Sequence, residues 1–116
     1  MTESLQDRWD IEVEISEDVD NFRYSKKIIL TIKNHSPYIR KFEVGTKYIN
    51  FKDQYAALKF RMYYNLISPV VIPIDKYRKE KVEILIPKVN SSSEDNIIIY
   101  VKNLDKNEEK DIKIYV

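Results

Sequence analysis

The chain has 116 residues, 43% of them hydrophobic and 34% charged, with a formal net charge of +1. That length gives one domain with a core of its own, and the supply of branched aliphatics and aromatics argues against disorder. One histidine, no cysteine and a single glycine exclude disulfides, thiolate metal sites, a cysteine nucleophile and a glycine-rich phosphate loop.

No stretch approaches the ~20 apolar residues of a membrane-spanning helix. Met1 to Asp7 lacks the basic and apolar regions of a signal peptide. The expected location is the cytoplasm, although an excised ectodomain would read the same way. Scarce glycine with abundant Lys, Glu and Ile fits either a thermophile or an AT-rich genome.

In chain order, Trp9 to Ile15 alternates Trp9, Ile11, Val13 and Ile15 with Asp10, Glu12 and Glu14, the period of a half-buried strand. An acidic turn from Ser16 to Asn21 follows. Lys26 to Lys33 is a second strand burying Ile28, Leu30 and Ile32, and Asn34-His35-Ser36-Pro37 is a turn signal. Tyr38 to Val44 is a third strand, with Phe42 and Val44 inward. Gly45 is expected to mark a bend or bulge, before a short strand from Lys47 to Phe51 and a turn at Lys52-Asp53-Gln54.

Leu58 to Leu66 alternates without a break and is read as one long strand, since helical spacing would strand Phe60 and Tyr64. Val70 to Ile74 is a short strand after Ser68-Pro69, and Lys76 to Lys81 a charged turn. Val82 to Ile86 is a strand closed by Pro87, and Val89 to Asp95 a polar loop. Ile97 to Lys102 and Asp111 to Val116 form a hairpin around Asn103 to Lys110. With so little glycine, Asn and Asp must supply positive-φ turn positions, for example in Asp105-Lys106-Asn107. About seven to eight strands at this spacing predict an all-β antiparallel sandwich in a single domain.

The run Ile28 to Ser36 is similar to the strand and Asn-containing turn that open many immunoglobulin-like modules. Phe42 to Phe51 with Lys52-Asp53-Gln54-Tyr55, then Val71-Ile72-Pro73 and Lys81 to Pro87, resemble their later strands. Over about residues 10 to 103 the chain resembles the telokin-like immunoglobulin-fold domains of prokaryotic surface lipoproteins. It departs from them by lacking a lipoprotein signal and by replacing their glycine-containing turns. The resemblance implies an immunoglobulin-like fold and a module that binds partners without doing chemistry. It carries over no site residues.

Few residues could carry chemistry. His35 beside Ser36 is not a triad, because triads converge from distant positions, and a solvated turn histidine is the plainer reading. Glu14, Glu17, Asp18 and Asp20 lack the glycine and spacing of a calcium loop. Asn34-His35-Ser36 and Asn90-Ser91-Ser92 match the glycosylation acceptor pattern. No cofactor, metal site or small-molecule substrate is expected, and the chain reads as a non-enzyme.

Charge is unevenly placed. Residues 1–21 carry a net of −7, residues 22–88 a net of +10 and residues 89–116 a net of −2. Basic and aromatic side chains interleave in Tyr38 to Lys41, Lys59 to Tyr64 and Lys76 to Lys79. One reading pairs the acidic first strand with a basic neighbour, the second strand with Lys26, Lys27 and Lys33. The other makes the basic block a polyanion surface of Arg40, Lys41, Lys59, Arg61, Arg78 and Lys79 on a small nucleic-acid-binding barrel. The leading expectation is a protein-interaction or assembly module, self-associating as a dimer or binding another protein. Arg61, Tyr63, Tyr77 and Tyr100 are its expected contact residues, unless these tyrosines merely cover an outer sheet face.

Overall fold

The computed structural model describes residues 8–16, 24–49, 57–60, 63–65, 69–87 and 96–115. They form nine strands: β1 (Trp9–Ser16), β2 (Tyr24–Asn34), β3 (Arg40–Ile49), β4 (Ala57–Phe60), β5 (Tyr63–Asn65), β6 (Val70–Ile74), β7 (Lys79–Pro87), β8 (Asn96–Asn103) and β9 (Glu108–Tyr115). One sheet runs β1-β2-β7-β4-β5 and the other β6-β3-β8-β9. All pairings are antiparallel. No helix among these residues is long and apolar enough to cross a membrane.

The expected all-β, two-sheet sandwich is thus present, and period-two alternation is its cause. In one sheet Ile28 and Leu30 of β2 stand opposite Ile84 and Val82 of β7, and Ile32 follows on the same inward face. Phe42 and Val44 of β3, Ile72 and Ile74 of β6, and Ile99 and Val101 of β8 supply the other. All are buried in one cluster. Burying each of these side chains is worth about 1.5–3 kcal/mol, and the branched ones also suit a pleated surface.

Trp9 fastens the two sheets together. Its ring sits 5.3 Å from that of Phe42, and its Nε1 donates to Glu108 Oε1 at 3.1 Å. Lys110 Nζ lies 4.3 Å from the ring centroid and donates to the Trp9 carbonyl at 2.9 Å. A cation over an indole is favourable, so β9 is pinned across the start of β1.

Three expectations change. The run from Leu58 to Leu66 is two strands: β4 and β5 pair antiparallel with Phe60 opposite Tyr63, so the chain reverses between them. Gly45 makes no bulge, because β3 continues to Ile49 and its register with β8 runs through Gly45 opposite Tyr100 without a shift. β7 begins at Lys79, inside the expected charged turn. The turns expected at Ser16 to Asn21 and Lys52 to Gln54, and the loop from Val89 to Asp95, fall wholly or mainly outside the described residues, with all of Glu17 to Asp20 and Asn90 to Ser92.

Candidate functional site

Three connections meet at one end of the sandwich: residues 35–39 between β2 and β3, residues 75–78 between β6 and β7, and residues 104–107 between β8 and β9. Backbone hydrogen bonds tie them together. Asn34 N donates to the Arg78 carbonyl at 2.9 Å, Tyr77 N to that of Ser36 at 3.2 Å, and Leu104 N to that of Lys41 at 2.9 Å. His35 N donates to the Arg8 carbonyl at 2.9 Å, bringing the start of β1 to the same end.

Asn34 organises this end. It is the last residue of β2, on the core-facing side, and is 1% exposed. Its Nδ2 donates toward the carbonyls of Tyr38 at 2.8 Å, Ile74 at 3.0 Å and Asp75 at 3.2 Å. Its Oδ1 accepts from Ser36 N at 3.0 Å. A side-chain amide supplies both donors and an acceptor, which is why this position takes Asn. Ser36, also buried, donates from Oγ to the Tyr38 carbonyl at 2.8 Å. Buried polar atoms so fully partnered hold a loop firmly. Because Nδ2 is the atom a glycan would occupy, the folded protein offers no acceptor at Asn34.

Held outward on this frame are three large side chains: Tyr38 is 60% exposed, Ile39 59% and Tyr77 68%. Arg40 Cζ stands 5.0 Å from the Tyr38 ring centroid, within range of a cation–π contact. Lys41, Lys76, Arg78 and Lys79 are exposed at the same end. Two acids here bind backbone: Asp105 Oδ2 accepts from Lys41 N at 2.7 Å and Asp75 Oδ1 from Lys76 N at 2.8 Å.

Tyr77 adopts φ of 58°. That region is uncommon without glycine, and a bulky side chain there is an outlier. Asn107 has φ of 55°, in the hairpin where Asn was expected to replace glycine. Tyr77 carried no such expectation.

The residues expected to form the interface separate. Tyr77 stands at this end. Tyr100 lies on the outer face of the second sheet, half-buried over Gly45, with its hydroxyl donating to Glu43 Oε2 at 2.8 Å. Tyr63 pairs with Phe60 at the far edge of the first sheet, and Arg61 lies outside the described residues. Of the basic set, Arg40, Lys41, Arg78 and Lys79 gather at the loop end, whereas Lys59 is on β4 opposite Glu83. Tyr38 and Ile39 fall in the strand expected from Tyr38 to Val44, but β3 begins only at Arg40. Their signal was the Asn34-to-Pro37 turn immediately before two large apolar residues.

Part of the charge asymmetry is neutralised within the fold. On the outer face of the first sheet, Asp10 of β1 opposes Lys33 of β2, which opposes Lys79 of β7. Lys33 pairs with Glu12. Its hydrogen bond and charge, helped by Lys79, hold the Glu12 carboxyl below its ordinary value. His35 Nε2 lies 2.8 Å from Asp10 Oδ2, so this histidine has a partner and is not simply solvated. Among the described residues no group of three His, Cys, Asp or Glu side chains could hold a metal ion.

The fold and this end together define an all-β, sandwich-like domain with a hydrogen-bonded, aromatic and basic loop surface. No protein-family model and no curated protein matches the chain. Among solved structures it is similar to the crystal structure of a FixG-related protein from Vibrio parahaemolyticus, with a TM-score of 0.55 and 9% identity. The likeness covers 90% of this chain and 92% of that one, and at such identity it speaks for the fold alone.

Proposed function

We propose that this domain is a non-catalytic interaction module of immunoglobulin-like build that binds protein through its loop end. The order β1-β2-β7-β4 against β3-β8-β9 supports the immunoglobulin-like reading, since those sheets are ordered A-B-E-D and C-F-G in that fold. β6 departs from it: it pairs beside β3 but follows β4 in the chain.

The observation that carries the binding reading is Tyr77. It occupies a backbone conformation costing a non-glycine residue about 1–3 kcal/mol, yet its side chain is 68% exposed and regains little by packing. Strain of that kind is kept where the side chain is used. Tyr38 and Ile39 extend the patch, and exposed tyrosines flanked by arginine are favoured interface anchors.

A second reading is favoured by the gathering of Arg40, Lys41, Arg78 and Lys79 around exposed tyrosines, a composition suited to single-stranded nucleic acid. Asp75, Asp105 and Glu108 at the same end weigh against it. Fluorescence-anisotropy titrations with single- and double-stranded oligonucleotides at two salt concentrations separate the two. The protein reading expects no binding at low salt. Tight binding that weakens steeply with salt and needs Arg78 would move the conclusion to nucleic acid. Light scattering over a concentration series tests whether the protein bound is a second copy.

A further inference from the structure

Along β1 the core-facing side chains progressively lose cover. Trp9 is 4% exposed, Val13 38% and Ile15 53%. Their partners across β2, Leu30 and Ile28, are fully buried. β1 is an edge of its sheet. β9 leaves the loop end in the same direction, and Glu108 and Lys110 close over Trp9 at the top of the seam between the two edges. On the opposite face of β1, Asp10, Glu12 and Glu14 follow at alternate positions. Lys33 engages Glu12, while the Glu14 side chain stands exposed.

We propose that the outer edge of β1 takes up, by strand addition, an extended segment of another protein in which Lys or Arg alternates with aliphatic side chains. An added strand alternates in step with β1, so its apolar face covers Val13 and Ile15 while its other face meets Glu12 and Glu14. The acidic row selects the occupant. A second copy of β1 would set Asp10, Glu12 and Glu14 against themselves, and like charges directly opposite destabilise a pair. The same row guards the edge against self-pairing and repels nucleic acid. This surface is separate from the loop end and does not depend on the reading given to it.

The test uses the full chain and a fluorescein-labelled peptide of alternating lysine and valine. Two controls accompany it: alternating glutamate and valine, and the lysine–valine composition rearranged into two blocks. The alternating lysine peptide is expected to bind about tenfold or more tightly than either control. Ile15→Glu, at an exposed position, is expected to remove that advantage with an unchanged melting temperature. Glu14→Lys weakens binding while leaving the apolar residues in place, and Tyr77→Ala leaves it unchanged. Equal binding of the blocked peptide, indifference to Ile15→Glu, or a homodimer that Ile15→Glu dissociates would each overturn the proposal.

Discussion

The Tyr100 ring lies across Gly45, its register partner on β3, so closely that a Cβ at position 45 would stand 2.5 Å from the phenol oxygen. The single glycine of the chain therefore serves a close approach, and neither a turn nor a bulge. An aromatic ring laid over a strand glycine covers backbone that would otherwise face water. It also lets the hydroxyl reach Glu43 on the same outer face.

Gly45→Ala is expected to destabilise the domain by about 1–3 kcal/mol, because the ring must swing away or the strands must part. In a Tyr100→Ala background the same change becomes neutral or stabilising, since alanine is better than glycine in a strand by roughly 0.5–1 kcal/mol. Denaturant unfolding of the four proteins measures the coupling. Equal losses in both backgrounds would contradict the contact.

Burial, then the hydrogen bond and charge of Glu43, push the Tyr100 phenol from 10.0 up to about 12. The unfolded chain releases this proton near 10 and the folded one near 12. Between those values the unfolded state binds fewer protons, so stability declines as pH rises through that window. Difference NMR titration of tyrosine Cζ against Tyr100→Phe reads the shift directly. Glu43→Gln is expected to bring the titration part of the way back toward 10, leaving the share due to burial.

Asn34→Ala removes an amide donor shared by three carbonyls and leaves buried polar groups unsatisfied. The expected loss is about 2–3 kcal/mol. Asn34→Asp keeps the acceptor for Ser36 N but loses the donors, so it is expected to cost as much or more. Faster amide exchange in both residues 35–39 and residues 75–78 would show that this side chain couples the two loops. A change confined to the first would contradict that role.

Tyr77→Asn is expected to raise stability by about 0.5–1 kcal/mol, because asparagine tolerates positive φ better than tyrosine. The same substitution is expected to weaken partner binding. A loss of stability in thermal unfolding would mean that the Tyr77 side chain packs after all, and the functional argument from strain would fall.

The core was legible because period two is a physical consequence of the pleat. Ile28, Leu30, Ile32, Phe42 and Val44 have the inward parity of that pattern and are buried. The pairing of the acidic first strand with Lys33 was also within reach, as neighbouring strands of opposite charge attract. The reversal after Phe60 was not, since no Gly, Pro, Asn or Asp marks residues 61–62 and the alternation runs straight through. Val13 and Ile15 fit the inward pattern, yet exposure depends on whether the opposite sheet reaches them, which period alone does not report.

The candidate site was half legible. Tyr77, Arg78 and Arg40 stood out as aromatic and basic residues in sequence. What joins them is Asn34, whose side chain bonds to residues as much as 41 positions away; no local signal announces such a hub. The positive φ of Tyr77 was equally hidden, because only Gly, Asn and Asp advertise that conformation.

The most direct test of the central claim is photo-crosslinking from the loop end. Benzoylphenylalanine replaces Tyr77, and in a control it replaces Lys81, exposed on the outer face of β7; both proteins are irradiated in extract of the source cells. The account predicts a discrete, protease-sensitive and nuclease-resistant adduct from position 77 alone, diminished by Tyr38→Ala and Ile39→Ala. Identical products from both positions, no adduct at 77, or an adduct destroyed by nuclease would contradict it.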